Sequence, residues 1–153
     1  MKSIVVLSDT HGNLSAIEKI LPILKESDYV FHLGDYAKDI LNFNRELGDK
    51  IYSVLGNCDW GEEDKVLEIE GVKIMLTHGH EYGVKNGLTR LKFKASELGV
   101  KAVFYGHTHN ADIVENEGVL YINPGNMTRV GECSYCYCVV HDKKITATIV
   151  PIR

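Results

Sequence analysis

The sequence predicts an α/β fold, a two-layer sandwich of mixed β-sheets flanked by helices. Three observations point there. The segment Ile4-Val5-Val6-Leu7 is an unbroken apolar run, the pattern of a strand buried on both faces. Strand-like and helix-like patterns then alternate up to Leu55, as in a parallel sheet with crossover helices. Later the alternation gives way to hairpins, which implies a second sheet packed against the first. A length of 153 residues, 44% hydrophobic and 25% charged, fits one domain spanning residues 1–153.

After the opening strand, Leu14, Ile17, Leu21 and Leu24 recur at helical spacing behind a cap at Gly12 or Asn13. Pro22 should kink that helix or split its last turn, because proline lacks the N–H an inner turn needs. Tyr29 to Leu33 reads as a second strand, Ile40, Phe43 and Leu47 as a second helix, and Ile51 to Leu55 as a third strand. A hairpin follows, Val66 to Glu70 and Val72 to Thr77, turning at Glu70-Gly71. Leu88, Leu91, Ala95 and Leu98 give the cleanest helical face, and Ala102 to Tyr105 is the next strand. The remainder is β: Asp112 to Glu115 with Val119 to Ile122, then Tyr135 to Val140 with Ile145 to Val150.

Composition excludes some functions. Lys and Arg total 17 against 21 Asp and Glu, a net charge of -4, so there is no basic footprint for a stable nucleic-acid complex. No apolar stretch reaches membrane-spanning length, and a cytoplasmic location is the expectation. Cys133, Cys136 and Cys138 crowd together, but strand neighbours two apart do not converge on a tetrahedral ion, so buried small side chains are a better reading than zinc.

The chemistry lies at the strand ends. Five of them carry polar residues able to bind metal: Asp9 and His11, Asp35, Asn57, His78, and His107 with His109. Neighbouring glycines such as Gly12, Gly34, Gly56, Gly79 and Gly106 allow sharp turns that bring these side chains inward. Mixed carboxylate and imidazole ligands suit Mn²⁺, Zn²⁺, Fe²⁺, Ni²⁺ or Co²⁺ better than Ca²⁺ or Mg²⁺. Seven ligands exceed the needs of one tetrahedral ion but supply two ions if one carboxylate bridges. The residual positive charge of such a pair favours an anionic substrate such as a phosphate ester, attacked by metal-activated hydroxide.

In this order, Asp9-x-His11, Gly34-Asp35, Gly56-Asn57, His78-Gly79 and Gly106-His107-x-His109 resemble the motifs of the calcineurin-like metallophosphoesterase superfamily. The short length, Gly56-Asn57-Cys58-Asp59 and Asn123-Pro124-Gly125-Asn126 resemble its small bacterial and archaeal phosphodiesterase branch. The resemblance implies one ion held by Asp9, His11, Asp35 and His109, and a second held by Asp35, Asn57, His78 and His107. It also implies manganese, iron, nickel or zinc; manganese is the first expectation, and cobalt is added by the ligand set alone.

Cys58 stands where many members have a histidine thought to assist at the phosphate, oriented by the acidic residue that follows, here Asp59. A thiol with an ordinary pKa of about 8.5 brings no positive charge, which a dianionic monoester would miss more than a monoanionic diester. The expectation is therefore a phosphodiesterase acting on a small substrate, with Asn57, Cys58, Asp59 and His80 as candidate catalytic residues. A phosphomonoesterase or protein phosphatase, and a non-catalytic retromer-type scaffold on the same fold, are the alternatives; a homo-oligomer is open. His32 reads as a satisfied core histidine, His141 as exposed, Asn123 to Asn126 as a wall of the cleft, and Arg129 as a surface residue.

Overall fold

The computed structural model describes residues 1–57, 59, 64–128 and 133–152. Cys58, Arg129 and most of the acidic Trp60 to Asp64 segment lie outside the described residues. The strands are β1 (Lys2–Leu7), β2 (Tyr29–His32), β3 (Ile51–Ser53), β4 (Asp64–Ile69), β5 (Val72–Thr77), β6 (Ala102–Phe104), β7 (Asp112–Asn116), β8 (Val119–Asn123), β9 (Ser134–His141) and β10 (Lys144–Pro151). The helices are α1 (Leu14–Lys19), α2 (Leu21–Glu26), α3 (Asn44–Leu47) and α4 (Thr89–Leu98).

Two five-stranded sheets form, in the orders β10-β9-β1-β2-β3 and β4-β5-β6-β8-β7. In the first, β1, β2 and β3 run parallel, and the β9–β10 hairpin adds antiparallel beside β1. In the second, β5, β6 and β8 run parallel, with β4 and β7 antiparallel at the edges. The sandwich expected from the sequence is the observed architecture.

Alternation along β1 accounts for the layers. Ile4 and Val6 face the second sheet, in a core with Phe31, Leu33, Ile74, Leu76, Phe104 and Ile122, while Val5 and Leu7 face Ile17 and Leu24 of the helices. On the far side, Leu91 and Ala95 of α4 pack on Met75, Val103 and Tyr121. Cys136 and Cys138 share the inner face of β9, buried in the core between the sheets with their sulfurs 3.5 Å apart, so they serve as packing. His141 is exposed, as expected.

Three details differ from the sequence pattern. The first helix breaks at Ile20, ahead of Pro22, and α2 starts there with the proline in its first turn, where no N–H is needed. Leu14, counted on the buried face, is 37% exposed because it opens α1. The helix expected around Ile40 is a 3-10 helix over Ala37–Phe43 that passes into α3. Its start is bent by two consecutive left-handed residues, Asp35 and Tyr36. No helix among the described residues is long and apolar enough to cross a membrane.

The sheets are joined at their centre by Phe31 and Phe104, edge to face with centroids 5.8 Å apart, both fully buried. Phe31→Ala should remove about 3–5 kcal/mol of stability through the cavity it leaves, measured by urea unfolding of the metal-free protein.

Candidate metal centre

The C-terminal ends of β1, β2, β5 and β6 meet at one edge of the sandwich and bring the candidate ligands together. Asp9, His11, Asp35 and His109 each offer a ligand atom within 4.8 Å of the others, and Asp35, His78 and His107 form a second such group. Asp35 belongs to both. Asn57 follows Gly56, which is pressed against the Asp35 side chain and backbone.

Backbone geometry explains the glycines. The loop after β2 touches the loop after β3 at Gly34, where a Cβ would lie 2.5 Å from the Gly56 nitrogen and 2.9 Å from His78 Nδ1. A Cβ on Gly106 would strike the Ser8 hydroxyl and lie 2.9 Å from Asp9 Oδ2. Five ligand candidates are themselves left-handed: Asp9 (φ 56°), His11 (44°), Asp35 (59°), His107 (70°) and His109 (65°). Such backbone is held only where the surroundings dictate it, and it concentrates at functional sites.

The surroundings are a set of braces. His32 Nδ1 accepts the Gly34 N–H at 3.1 Å, so its Nε2–H donates to Thr10 Oγ1 at 3.0 Å. Thr10 in turn donates to Asp39 Oδ2 at 2.7 Å, and the same oxygen accepts the Gly12 N–H at 2.7 Å. His11 is therefore clamped between two neighbours tied to one carboxylate. On the other side, Asn123 Nδ2 donates to the Gly106 carbonyl and to Thr108 Oγ1, and Asn126 Nδ2 donates to the His109 carbonyl. Asn123 and Asn126 thus brace the cleft wall.

Two buried ligand atoms have no hydrogen-bond partner, Asp9 Oδ1 and His11 Nε2. Asp9 Oδ2 is engaged by Ser8 Oγ–H at 2.7 Å and the His107 N–H at 3.2 Å, while Oδ1 faces His109 Nε2 at 3.3 Å and His78 Nε2 at 3.8 Å. His11 Nε2 faces Asp35 Oδ2 at 3.5 Å. His78 Nδ1–H donates to the Leu33 carbonyl at 2.8 Å, which leaves the Nε2 lone pair of the neutral ring aimed at Asp35 Oδ2, 3.4 Å away, and at His107 Nδ1, 3.1 Å away. Lone pairs and carboxylate oxygens converging in this way repel unless a cation lies among them, and a transition metal fits this donor set.

The ionisations agree. Burial raises the Asp9 carboxyl above its ordinary range, against the pull of His78 and the Ser8 hydrogen bond. Burial alone would lower His78, but Asp35 and Asp9 outweigh it and raise the ring. A proton there takes the place of a metal. His107 is lowered to about 4, by burial first and then by His78 and Lys85.

Of the catalytic candidates, His80 stays at the edge of the second group, its ring 5.5 Å from His78 and 6.1 Å from His107, with a buried Nδ1 that has no hydrogen-bond partner. Asp59 is turned elsewhere: Oδ1 accepts the Tyr36 and Ala37 N–H groups and Oδ2 accepts that of Gly56. It ties the loop after β3 to the loop after β2. Sequence reasoning missed Ser8, Thr10 and Asp39. The first two adjoin Asp9, but nothing in the pattern around Asp39 marks it.

The fold and the paired ligand groups define an α/β sandwich with a candidate metal centre at its parallel strand ends. Residues 1–144 match the model of the calcineurin-like phosphoesterase superfamily domain. A probable metallophosphoesterase of Methanocaldococcus jannaschii is 33% identical over 97% of this chain and 80% of its own length. A phosphodiesterase of the same organism is 30% identical over 78% of this chain and 81% of its own length. A conserved uncharacterized protein of Streptococcus pneumoniae, described as a predicted phosphoesterase, superposes with a TM-score of 0.80 at 27% identity, over 97% of this chain and 88% of that one. Vps29 of Entamoeba histolytica, solved with zinc, shares the fold at a TM-score of 0.76 and 21% identity, over 97% of this chain and 98% of that one. The chain belongs to the calcineurin-like phosphoesterase superfamily.

His32 makes stability depend on pH. Full burial lowers the folded ring from 6.5 to about 4. Between those values the unfolded chain binds more protons, so stability falls as pH falls across that window and is fully present above it. The loss at its full extent is about 3 kcal/mol. Urea unfolding at pH 7 and pH 4.5 should reveal it, and His32→Gln should lose less between the two, the remainder including His107, which is lowered over the same window.

Proposed function

We propose that the protein is a binuclear metal-dependent phosphodiesterase. The observation that carries this reading is the pair of ligand groups joined at Asp35, with Asp9 Oδ1 and His11 Nε2 buried among them without a hydrogen bond. Asp9, His11, Asp35 and His109 would hold one divalent ion, and Asp35, Asn57, His78 and His107 the other. Manganese is the first choice, with nickel, iron, zinc or cobalt as alternatives. When bound, the ions supply Lewis-acid activation of water and charge stabilisation in an in-line displacement.

The residues supply the rest. Asp9 and Asp35 offset only half the charge of two divalent ions, so a monoanionic diester meets a positive site. The His78 Nδ1–H bond to the Leu33 carbonyl fixes the tautomer that presents Nε2. His80, beside His78 and outside both ligand groups, is the ring left to reach the phosphate. The relative named a phosphodiesterase supports the diester reading. A cytoplasmic enzyme acting on a small substrate is part of the same reading. The Vps29 likeness, at 21% identity, reaches only the fold.

The purified protein should carry about two ions per chain and hydrolyse bis(4-nitrophenyl) phosphate, with loss on chelation and recovery on adding Mn²⁺. No chelator-sensitive turnover at full metal content would leave the scaffold reading standing, and a strong preference for the monoester would overturn the diester reading. By elemental analysis, Asp9→Asn and His109→Ala should each retain about one ion and Asp35→Asn close to none, since Asp35 serves both groups.

A further inference from the structure

Beside the metal centre is a cavity of about 510 Å³ between the segment around Val84–Leu88 and the loop that carries His107 and His109. Three of its lining residues adjoin the site. Thr108, in its wall, lies between two candidate ligands. Val84 packs on Gly79, between His78 and His80, so closely that a Cβ there would sit 3.0 Å from its Cγ2. Lys85 is near enough for its charge to act on the His107 ring.

The cavity is far larger than a phosphate and within the range of small-molecule sites, about 300–1,000 Å³. Its apolar lining residues are Val84, Leu88, Tyr105 and Ala111. Lys85 and Asp112 contribute opposite charges that cancel, and Asn110 adds a donor and an acceptor. A second anionic group finds no net attraction here, whereas a flat, uncharged ring with hydrogen-bonding edges matches both the walls and the rim.

We infer that this cavity is the subsite for one ester arm of the phosphodiester, and that the arm is an uncharged, ring-bearing group of the nucleoside type. The inference rests on the phosphodiesterase reading and narrows its substrate class. The phosphate lies at the metal centre, the nucleoside arm reaches past Thr108 onto Tyr105 and Leu88, and the other arm leaves on the opposite side.

The test compares two diesters with the same leaving group, thymidine 5′-(4-nitrophenyl) phosphate and methyl 4-nitrophenyl phosphate. The manganese-loaded protein should show a kcat/KM advantage of about tenfold or more for the thymidyl ester, carried mainly by KM. In Leu88→Trp, which fills the cavity, and in Asn110→Ala, which only trims its rim, the ratio should fall towards one. Equal values in the wild type, or an undiminished ratio in both variants, would overturn the subsite. Should neither diester be turned over, the phosphodiesterase reading fails. The cavity is then judged by thymidine alone at millimolar concentration: amide shifts confined to residues 84–88 and 105–112 support it, and their absence overturns it.

Discussion

Everything at this edge of the sandwich depends on one electrostatic constraint. Ligand atoms from Asp9, His11, Asp35 and His109 are held within 4.8 Å of one another, as are those of Asp35, His78 and His107. Asp9 and His78 are fully buried and Asp35 nearly so, so their share of that crowding is not hydrated away, while His11 and His109 are partly exposed to solvent. Burial raises the Asp9 carboxyl, while Asp35 and Asp9 raise the His78 ring against its burial. Cations would relieve the crowding, and the binding free energy of a transition metal is of the order of 10 kcal/mol.

The scale of the strain shows why rigid support is needed. Five left-handed ligand residues, at about 1 kcal/mol each, approach the lower end of ordinary domain stability. Two layers of support offset them. Strands buried on both faces fix where each loop departs, and the facing of Phe31 and Phe104 fixes one sheet against the other. Buried hydrogen bonds then fix the loops: His32, Thr10 and Asp39 on one flank, Asn123 on the other. Each of these side chains is itself buried, so its partners are compulsory rather than optional.

How much of this was legible in the sequence differs by element. Period-two and period-3.6 patterns gave the sandwich, because apolar burial dominates its strands and α4. Pro22 marked a break in the first helix, which falls at Ile20 and so earlier than its last turn, while the segment after Tyr36 misled, since a left-handed turn reshapes the helix after it. The ligand candidates were legible because strand ends and glycines mark them in order along the chain. Asp39 was not, because it acts from 27 residues beyond Gly12 through a contact that only the crossover creates. The nature of His32 was legible as a core histidine, but its place between Gly34 and Thr10 was not.

Asp59 bears on the one departure from the family pattern. The resemblance implies that this acid orients the side chain before it, which here is Cys58. Yet both Asp59 oxygens are taken by backbone N–H groups of Tyr36, Ala37 and Gly56. Those bonds hold the loops after β2 and β3 together, and with them Asp35 and Asn57, whatever stands at position 58. A cysteine there consequently leaves the carboxylate paired and the loop braced. A thiol carries no positive charge where an imidazolium would, a difference that weighs on dianionic esters more than on monoanionic ones. Under the proposed reading a preference for diesters would follow from charge, while the geometry around the candidate ligands rests on Asp59, whose bonds go to backbone N–H groups.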